Sequence, residues 1–361
     1  MKILIPYNVP FKLHTNSKGK VIPGGGEKFA FDIFDNFDSA IPLEITNDVI
    51  LKRQTKKVMR DAITKHNPDM ILLNKPVQWG RMMLSFKIPL ICIVHEGLSR
   101  HPRMIGFGDL LKDLNDNGTH MYFVSEHQYN YYKALAKRIR NVDFGSIKGY
   151  VNPSYLPDDT PFNEESIWDV STVGRNEPLK DPFVIKKKLK KSNLVSLVMT
   201  NDATYKKVNK DDSFNNYVKR NQHWDYVMRG TAHKQVIDNI SKTKVFVSTW
   251  PKESFGITTM EALGCGVPTI LFTDRSNNHA SESIAVDPSH ILKMNKTCSA
   301  DTFIEGINVL YNRTKQIRKD IREQTIMKHS FNNWKNRIEE IINMRFDDKI
   351  KHNTVEEFIQ W

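Results

Sequence analysis

The stretch WPKESFGITTMEALGCGVPTI, residues 250–270, decides the fold. It follows KVFVST (244–249), a short apolar run that reads as a buried strand. ITTMEALGCG then reads as a helix, and PTILF (268–272) as the next strand. The turn PKESFG therefore joins the carboxyl end of a strand to the amino end of a helix, the edge at which open α/β sheets bind ligands. Free N–H groups and a positive dipole end there suit an anionic or hydroxyl-rich ligand. Gly256 lets the backbone come close to it. Glu253 and Glu261 lie eight positions apart. With Glu253 in the loop and Glu261 about two turns on, both carboxylates can face one cleft. Each can accept hydrogen bonds from the vicinal diols of a sugar or ribose. A capped helix with two solvated glutamates has the same spacing, so the residues alone leave both readings open.

The same alternation runs outward in both directions. KILIPY (2–7), MILLN (70–74), LICIVH (90–95), MYFVS (121–125), WDVSTVG (168–174) and LVSLVMT (194–200) are further candidate strands. Helix-like segments such as EKFAFDIFDNFDS, VILKRQTKKVMRDAITKH and HKQVIDNISKT lie between them. Strand, helix, strand in repetition predicts doubly wound α/β domains with parallel sheets. The segment GYVNPSYLPDDTPFNEES (149–166) gathers prolines, aspartates and asparagines and reads as a linker. It divides the chain into an N-terminal domain, 1–160, and a C-terminal domain, 166–335, followed by a helical segment, 336–361, expected to pack back on the first domain.

A chain of 361 residues is long for one core and suits two domains. Hydrophobic residues make up 39% and charged residues 26%, the balance of a soluble globular protein. No apolar run approaches the ~20 residues of a membrane span. MKILIPYNVP reads as a first strand rather than a signal peptide. Cys92, Cys265 and Cys298 are scattered without metal spacing, which points to a reducing cytoplasm and no disulfide framework. A net charge of +12 favours a polyanionic partner, nucleic acid or an anionic membrane surface, unless the chain is simply a basic enzyme. The basic runs KKKLKKS (186–192), YKKVNKDD (205–212) and NRTKQIRKDIR (312–322) read as solvated helix faces or as tracks for a phosphate backbone. No nucleic-acid-binding signature and no D-x-D metal motif is present. VIPGGGEKFAFDIF (21–34) sets Gly24, Gly25 and Gly26 before a helix, a backbone-lined anion site without the G-x-G-x-x-G spacing.

ESFGITTMEALGCGVPTI resembles the E-x7-E signature of the GT-B glycosyltransferases of the retaining family 4 type, E-x-F-G-x-x-x-x-E-A-x-A-x-G-x-P-V-I. The match covers Glu253, Phe255, Gly256, Glu261, Ala262, Gly264, Gly266, Pro268 and Ile270; the family's usual alanine is Leu263 here, with Gly264 following. The resemblance implies two Rossmann-like domains facing a central cleft, the first on the acceptor side and the second binding a nucleotide sugar. Glu253 would hold the donor sugar's hydroxyls, together with the backbone around Ser254, Phe255, Gly256 and Ile257. Glu261 would bind the ribose, and the other glycines and Pro268 would be structural. STVGRNEPLKDP (171–182) resembles the family's strand ending in G-R with a lysine beyond it. Arg175 and Lys180 would then stabilise the charge that develops on the departing diphosphate. The family's lysine usually precedes a glycine; here Asp181 follows. Gly24, Gly25 and Gly26 resemble the first loop that touches the diphosphate. His95, at a strand end, resembles the histidine near the transferred sugar, and Arg100, His101 and Arg103 in the same loop could meet a polyanionic acceptor. VSEHQ (124–128) resembles a structural strand end, and YVMRGTAHKQV (226–236) the loop that receives the nucleobase, through Arg229, Gly230 and Thr231.

The implied activity is transfer from a nucleoside diphosphate sugar, a UDP-sugar first, to an acceptor hydroxyl with retention. The departing phosphate takes the acceptor's proton, and no metal or further cofactor is expected. The expected acceptor is 5-hydroxymethylcytosine in double-stranded DNA, as in phage enzymes that glycosylate their own genome in the host cytoplasm. The lysine- and asparagine-rich make-up and the charge of +12 motivate it. The alternatives are a bacterial transferase acting on a surface polysaccharide or lipid carrier, a GT-B-like epimerase, and a GT-B-like protein that binds DNA without catalysis.

Overall fold

The structure is a computed structural model and describes residues 1–8, 25–74, 76–95, 107–140, 145–176, 178, 180–200, 220–221, 224–275 and 279–359. They form two compact units. The first holds the amino-terminal strand, Pro23–Tyr155 and the terminal segment from Phe331; all described residues of the second lie in Leu156–Ser330. The first unit contains β1 (Ile3–Tyr7), β2 (Ala40–Glu44), β3 (Met70–Leu73), β4 (Leu90–Val94), β5 (His120–Phe123) and β6 (Ile147–Tyr150). These pair in parallel in the order β2-β1-β3-β4-β5-β6, so the strand order reverses between β1 and β3. Every residue of MILL in β3 and LICIV in β4 is buried, as continuous apolar runs covered on both faces require. The helix Phe331–Ile359 belongs to this unit. Its Trp334 meets Phe29 and Phe37 at ring-centroid distances of 6.2 Å, and its Arg337 donates to Tyr150 O at 3.2 Å.

The second unit contains β7 (Trp168–Val173), β8 (Ser196–Thr200), β9 (Val227–Arg229), β10 (Thr243–Ser248), β11 (Thr269–Thr273) and β12 (Ile291–Asn295). Their order is β12-β11-β10-β7-β8-β9, again all parallel. Numbered from its own first strand, the sheet reads 3-2-1-4-5-6, the dinucleotide-fold order. Side chains alternate across it. Val245 and Val247 pack with Phe303, Ile307 and Leu310 of the helix Ala300–Thr314. Phe246 packs on the other face with Ile237, Ile240, Ala262 and Cys265. The strand order reverses between β7 and β10, so the crevice beyond their carboxyl ends is the position at which such sheets take ligands.

All eight candidate strands are present, as β1, β3, β4, β5, β7, β8, β10 and β11. The four that the apolar runs missed, β2, β6, β9 and β12, are the four sheet edges. The two chain segments that pass between the units run side by side. Leu156 N donates to His329 O at 2.9 Å and Leu156 bridges to Ser330, while the rings of Tyr155 and Phe331 lie 5.0 Å apart.

Two basic runs prove to be partly internal. Lys186 is buried, donates to Ser196 O and lies 5.6 Å from the centre of the Tyr226 ring; burial holds its pKa down to about 8. Lys188 donates to Cys298 O. Arg313 donates to Ile291 O at 3.3 Å, and Arg322 to Thr160 O at 2.8 Å. Arg318, 5% exposed, donates to Gly266 O at 3.0 Å and Ser241 O at 3.2 Å. These cations are thus occupied by the chain's own backbone carbonyls. The run 205–212 lies outside the described residues.

Candidate active site

The second unit's strands are parallel, so the segments following their carboxyl ends share one edge. The loop after β10 enters the helix Ile257–Gly264 through Gly256, whose φ of +99° is a left-handed conformation that side chains rarely adopt. A Cβ built on Gly256 would overlap Ser281 Oγ and sit 3.1 Å from Ser281 Cβ. Ser281 is that close because its hydroxyl donates to Phe255 O at 2.6 Å. Trp250 O, at the other end of the loop, lies 3.1 Å from His279 Nε2. His279 Nδ1 accepts from Ser281 N at 3.2 Å, so Nε2 carries the proton and donates to Trp250 O. The segment after β11 thus grips the loop at both ends. The N-cap itself is Gly256, which has no side chain with which to cap the helix's amino end. The helix exits through Gly266, φ +71°, where a Cβ would overlap Arg318 O and lie 3.0 Å from Phe162 Cε2.

Beyond β7 the chain passes Gly174 and the half-buried Arg175 and returns to the same edge at Lys180. Thr249 Oγ1 donates to Lys180 O at 2.7 Å. Lys180 Nζ pairs with Glu253 Oε1 and lies 3.8 Å from the centre of the Trp250 ring. The side chains of Lys180 and Glu253 are only 16% and 19% exposed. Asp181, the next residue, is held at a φ of +37°, a strained value for a residue with a Cβ.

Glu261, 7% exposed, places Oε1 2.7 Å from His233 Nε2. His233 opens the helix His233–Ser241, which follows β9 and Gly230. Gly230, φ +61°, donates its N–H to Thr200 O at 3.0 Å. Arg229 turns inward: its guanidinium donates to Asn221 O at 3.1 Å and lies 5.7 Å from the Phe183 ring centre. Thr231, Ser254 and Ile257 are half-buried. The two glutamates therefore have different partners, Glu253 from the β7 side and Glu261 from the β9 side.

In the first unit, Gly25 and Gly26 form the first turn of the helix Gly25–Asn36. His95 follows β4, and its ring meets Phe29 of that helix edge-on at 5.2 Å, which brings it near the glycine turn. Gly24, Arg100, His101 and Arg103 lie outside the described residues. Among the described residues no group of three His, Cys, Asp or Glu is placed to hold a metal ion, and no helix is long and apolar enough to cross a membrane.

Sequence reasoning missed Trp250, His233, His279 and Ser281. The available signals were slight: Trp250 opens the loop of the signature, and His233 follows the predicted nucleobase loop.

The arrangement offers an ammonium, two carboxylates and a helix end opened by a glycine along one edge, with Arg175 just beyond β7. These groups complement a charged phosphate bearing a polyol. No protein-family model and no curated relative matches the chain. Solved structures do. Anabaena Alr3699/HepE in complex with UDP-glucose is 14% identical, with a TM-score of 0.70 over 95% of this chain and 100% of that one. Sucrose-phosphate synthase (tll1590) from Thermosynechococcus elongatus is 10% identical, with a TM-score of 0.70 over 96% of this chain and 100% of that one. A glycosyltransferase from Rickettsia africae ESF-5 is 12% identical, with a TM-score of 0.65 over 96% of this chain and 98% of that one. Likeness at these identities speaks to architecture, and the architecture is GT-B: two Rossmann-like α/β units, each built on a parallel six-stranded sheet.

Proposed function

We propose that the protein transfers a glycosyl group from a nucleoside diphosphate sugar, UDP-linked in the first instance, to an acceptor hydroxyl. The observation that carries this reading is the Lys180–Glu253 pair at the β7/β10 crevice, with Glu261 on the helix that follows. HepE, similar in fold, was solved with UDP and with UDP-glucose. Glu253 accepts hydrogen bonds from the sugar's hydroxyls, and Glu261 from those of the ribose. The bond from the anomeric carbon to the phosphate oxygen breaks, and charge grows on the leaving diphosphate. Arg175 and Lys180 hold that charge where it develops. The acceptor oxygen bonds the same face of the anomeric carbon, and its proton passes to the departing phosphate, so the configuration is retained without a side-chain base.

The DNA acceptor rests on the lysine- and asparagine-rich composition and the charge of +12. Lys186, Lys188, Arg313, Arg318 and Arg322 take no part in that argument, because they donate to the chain's own carbonyls. The test therefore offers several acceptors. The protein is incubated with a panel of nucleotide sugars and hydroxymethylcytosine DNA, or a lipid-phosphate carrier in detergent, or a polysaccharide. Mass spectrometry reads the added sugar, and NMR coupling its anomeric configuration. Release of nucleoside diphosphate with a glycosylated product is expected from one donor. No release from any donor, with no binding of UDP, would refute the transferase reading; an inverted product would refute retention alone. Hexose on the digested DNA nucleosides would establish the DNA acceptor, and product only in detergent would replace it with the lipid carrier.

A further inference from the structure

We propose that Trp250 is a positioning residue for the Lys180 ammonium, holding it at the crevice when a nucleoside diphosphate sugar takes Glu253 away. This rests on the function proposed above. Among the described residues the ammonium meets two groups, the Glu253 carboxylate and the face of the Trp250 ring, 3.8 Å from its centre. The two differ in what they leave available. The carboxylate consumes an N–H donor, and the sugar hydroxyls compete for it. The indole face attracts the charge through its quadrupole and leaves the three N–H donors free for phosphate oxygens. A lysine stem is flexible, so an ammonium released from its ion pair into water would scatter over rotamers. An aromatic face beside it keeps the charge in place through the exchange of partners.

The support behind Trp250 is specific. Thr249, its neighbour, donates to Lys180 O at 2.7 Å, so consecutive residues at the end of β10 hold the backbone and the head of the same lysine. The carbonyl of Trp250 accepts from His279 Nε2 at 3.1 Å, and His279 is 2% exposed with its tautomer set by Ser281 N. Trp250 follows the second strand of the switch point, β10, and Lys180 comes after the first, β7. Glutamate spacing alone does not demand an indole here, which marks Trp250 as a feature of this site.

The test compares Trp250→Leu, Trp250→Phe, Lys180→Met and the Trp250→Leu/Lys180→Met double variant. With the donor that wild type turns over, Trp250→Leu should lower kcat by roughly tenfold while donor KM moves less than about threefold, the scale of a partly desolvated cation–π contact. Trp250→Phe keeps an aromatic face and should stay within about threefold of wild type. The double variant should be no slower than Lys180→Met alone, because Trp250 acts through the lysine. A second readout needs no donor: limited acetylation followed by mass spectrometry should label Lys180 several-fold faster in Trp250→Leu than in wild type or Trp250→Phe. Wild-type kcat in Trp250→Leu, equal losses in the Leu and Phe variants, additive losses in the double, or an unchanged labelling rate would each overturn the proposal. If wild type transfers nothing from any donor, the proposed function fails, and the labelling rates still decide whether Trp250 holds Lys180.

Discussion

Gly256→Ala is the sharpest perturbation of the loop that carries Glu253. Two separate costs follow from the geometry. Gly256 sits at φ +99° and ψ +63°, beyond the centre of the left-handed region, and a residue with a Cβ loses ~1–2 kcal/mol there. The new methyl also overlaps Ser281 Oγ, so the hydroxyl must leave Phe255 O, which it now bonds at 2.6 Å. A buried bond of that kind contributes ~1 kcal/mol. The sum is ~2–3 kcal/mol, or about thirty- to a hundred-and-fiftyfold in an opening equilibrium. Native-state hydrogen exchange at the amides of Ile257–Gly264 reads it locally, which suits a chain of two units whose global unfolding need not be two-state. Ser281→Ala alone should speed that exchange about fivefold. The double variant should exchange about as fast as Gly256→Ala, because the hydroxyl bond can be lost only once. Exchange within about threefold of wild type in Gly256→Ala, or fully multiplied effects in the double, would refute this account of the loop.

Three further outcomes are expected. Glu261→Gln keeps the shape of the side chain and removes its charge, so UDP affinity by calorimetry should fall by roughly tenfold or more; unchanged affinity would remove its ribose role. Arg175→Ala should lower kcat by ~10²–10³ with a smaller change in donor KM, and wild-type turnover would end its leaving-group role. Burial lowers the pKa of His329 from 6.5 to about 4, so the unfolded chain binds the proton first as pH falls. The neutral ring's full contribution is therefore present above 6.5 and is lost on acidification toward about 4, ~3 kcal/mol in all. Urea midpoints at neutral and acidic pH should show a shallower slope for His329→Gln; an identical slope to wild type would contradict the assignment.

The interior of both sheets was legible because its strands announce themselves as unbroken apolar runs, MILL and LICIV being the plainest. The edges were not. In β12, ILKMN, only Ile291 is buried, and β9, VMR, has no buried residue. A strand flanked on one side only needs little apolar surface, so its sequence resembles a loop. The site divides in the same way. Glu253 and Glu261 draw attention by type and spacing, and it is the resemblance to the E-x7-E and G-R motifs that singles out all four of Glu253, Glu261, Arg175 and Lys180. The contact between Lys180 and Glu253 joins residues 73 apart and needs the β7–β10 neighbourhood to exist. His233, Trp250, His279 and Ser281 act through carbonyls, ring faces and a single carboxylate oxygen, for which no residue type is diagnostic. Charge misled most: Lys186 and Arg318 look like surface cations in sequence and are fastened to buried carbonyls in the fold.

The adjacency of Leu156 and Ser330 gives the molecule a genetic seam. All described residues of the second unit lie between them, so that described block begins and ends at one spot. Two cuts a few ångströms apart in space would lift it out, and a counterpart with the same paired ends could be spliced in without rerouting any strand of the recipient. Such a chain can exchange one half by recombination while keeping the other.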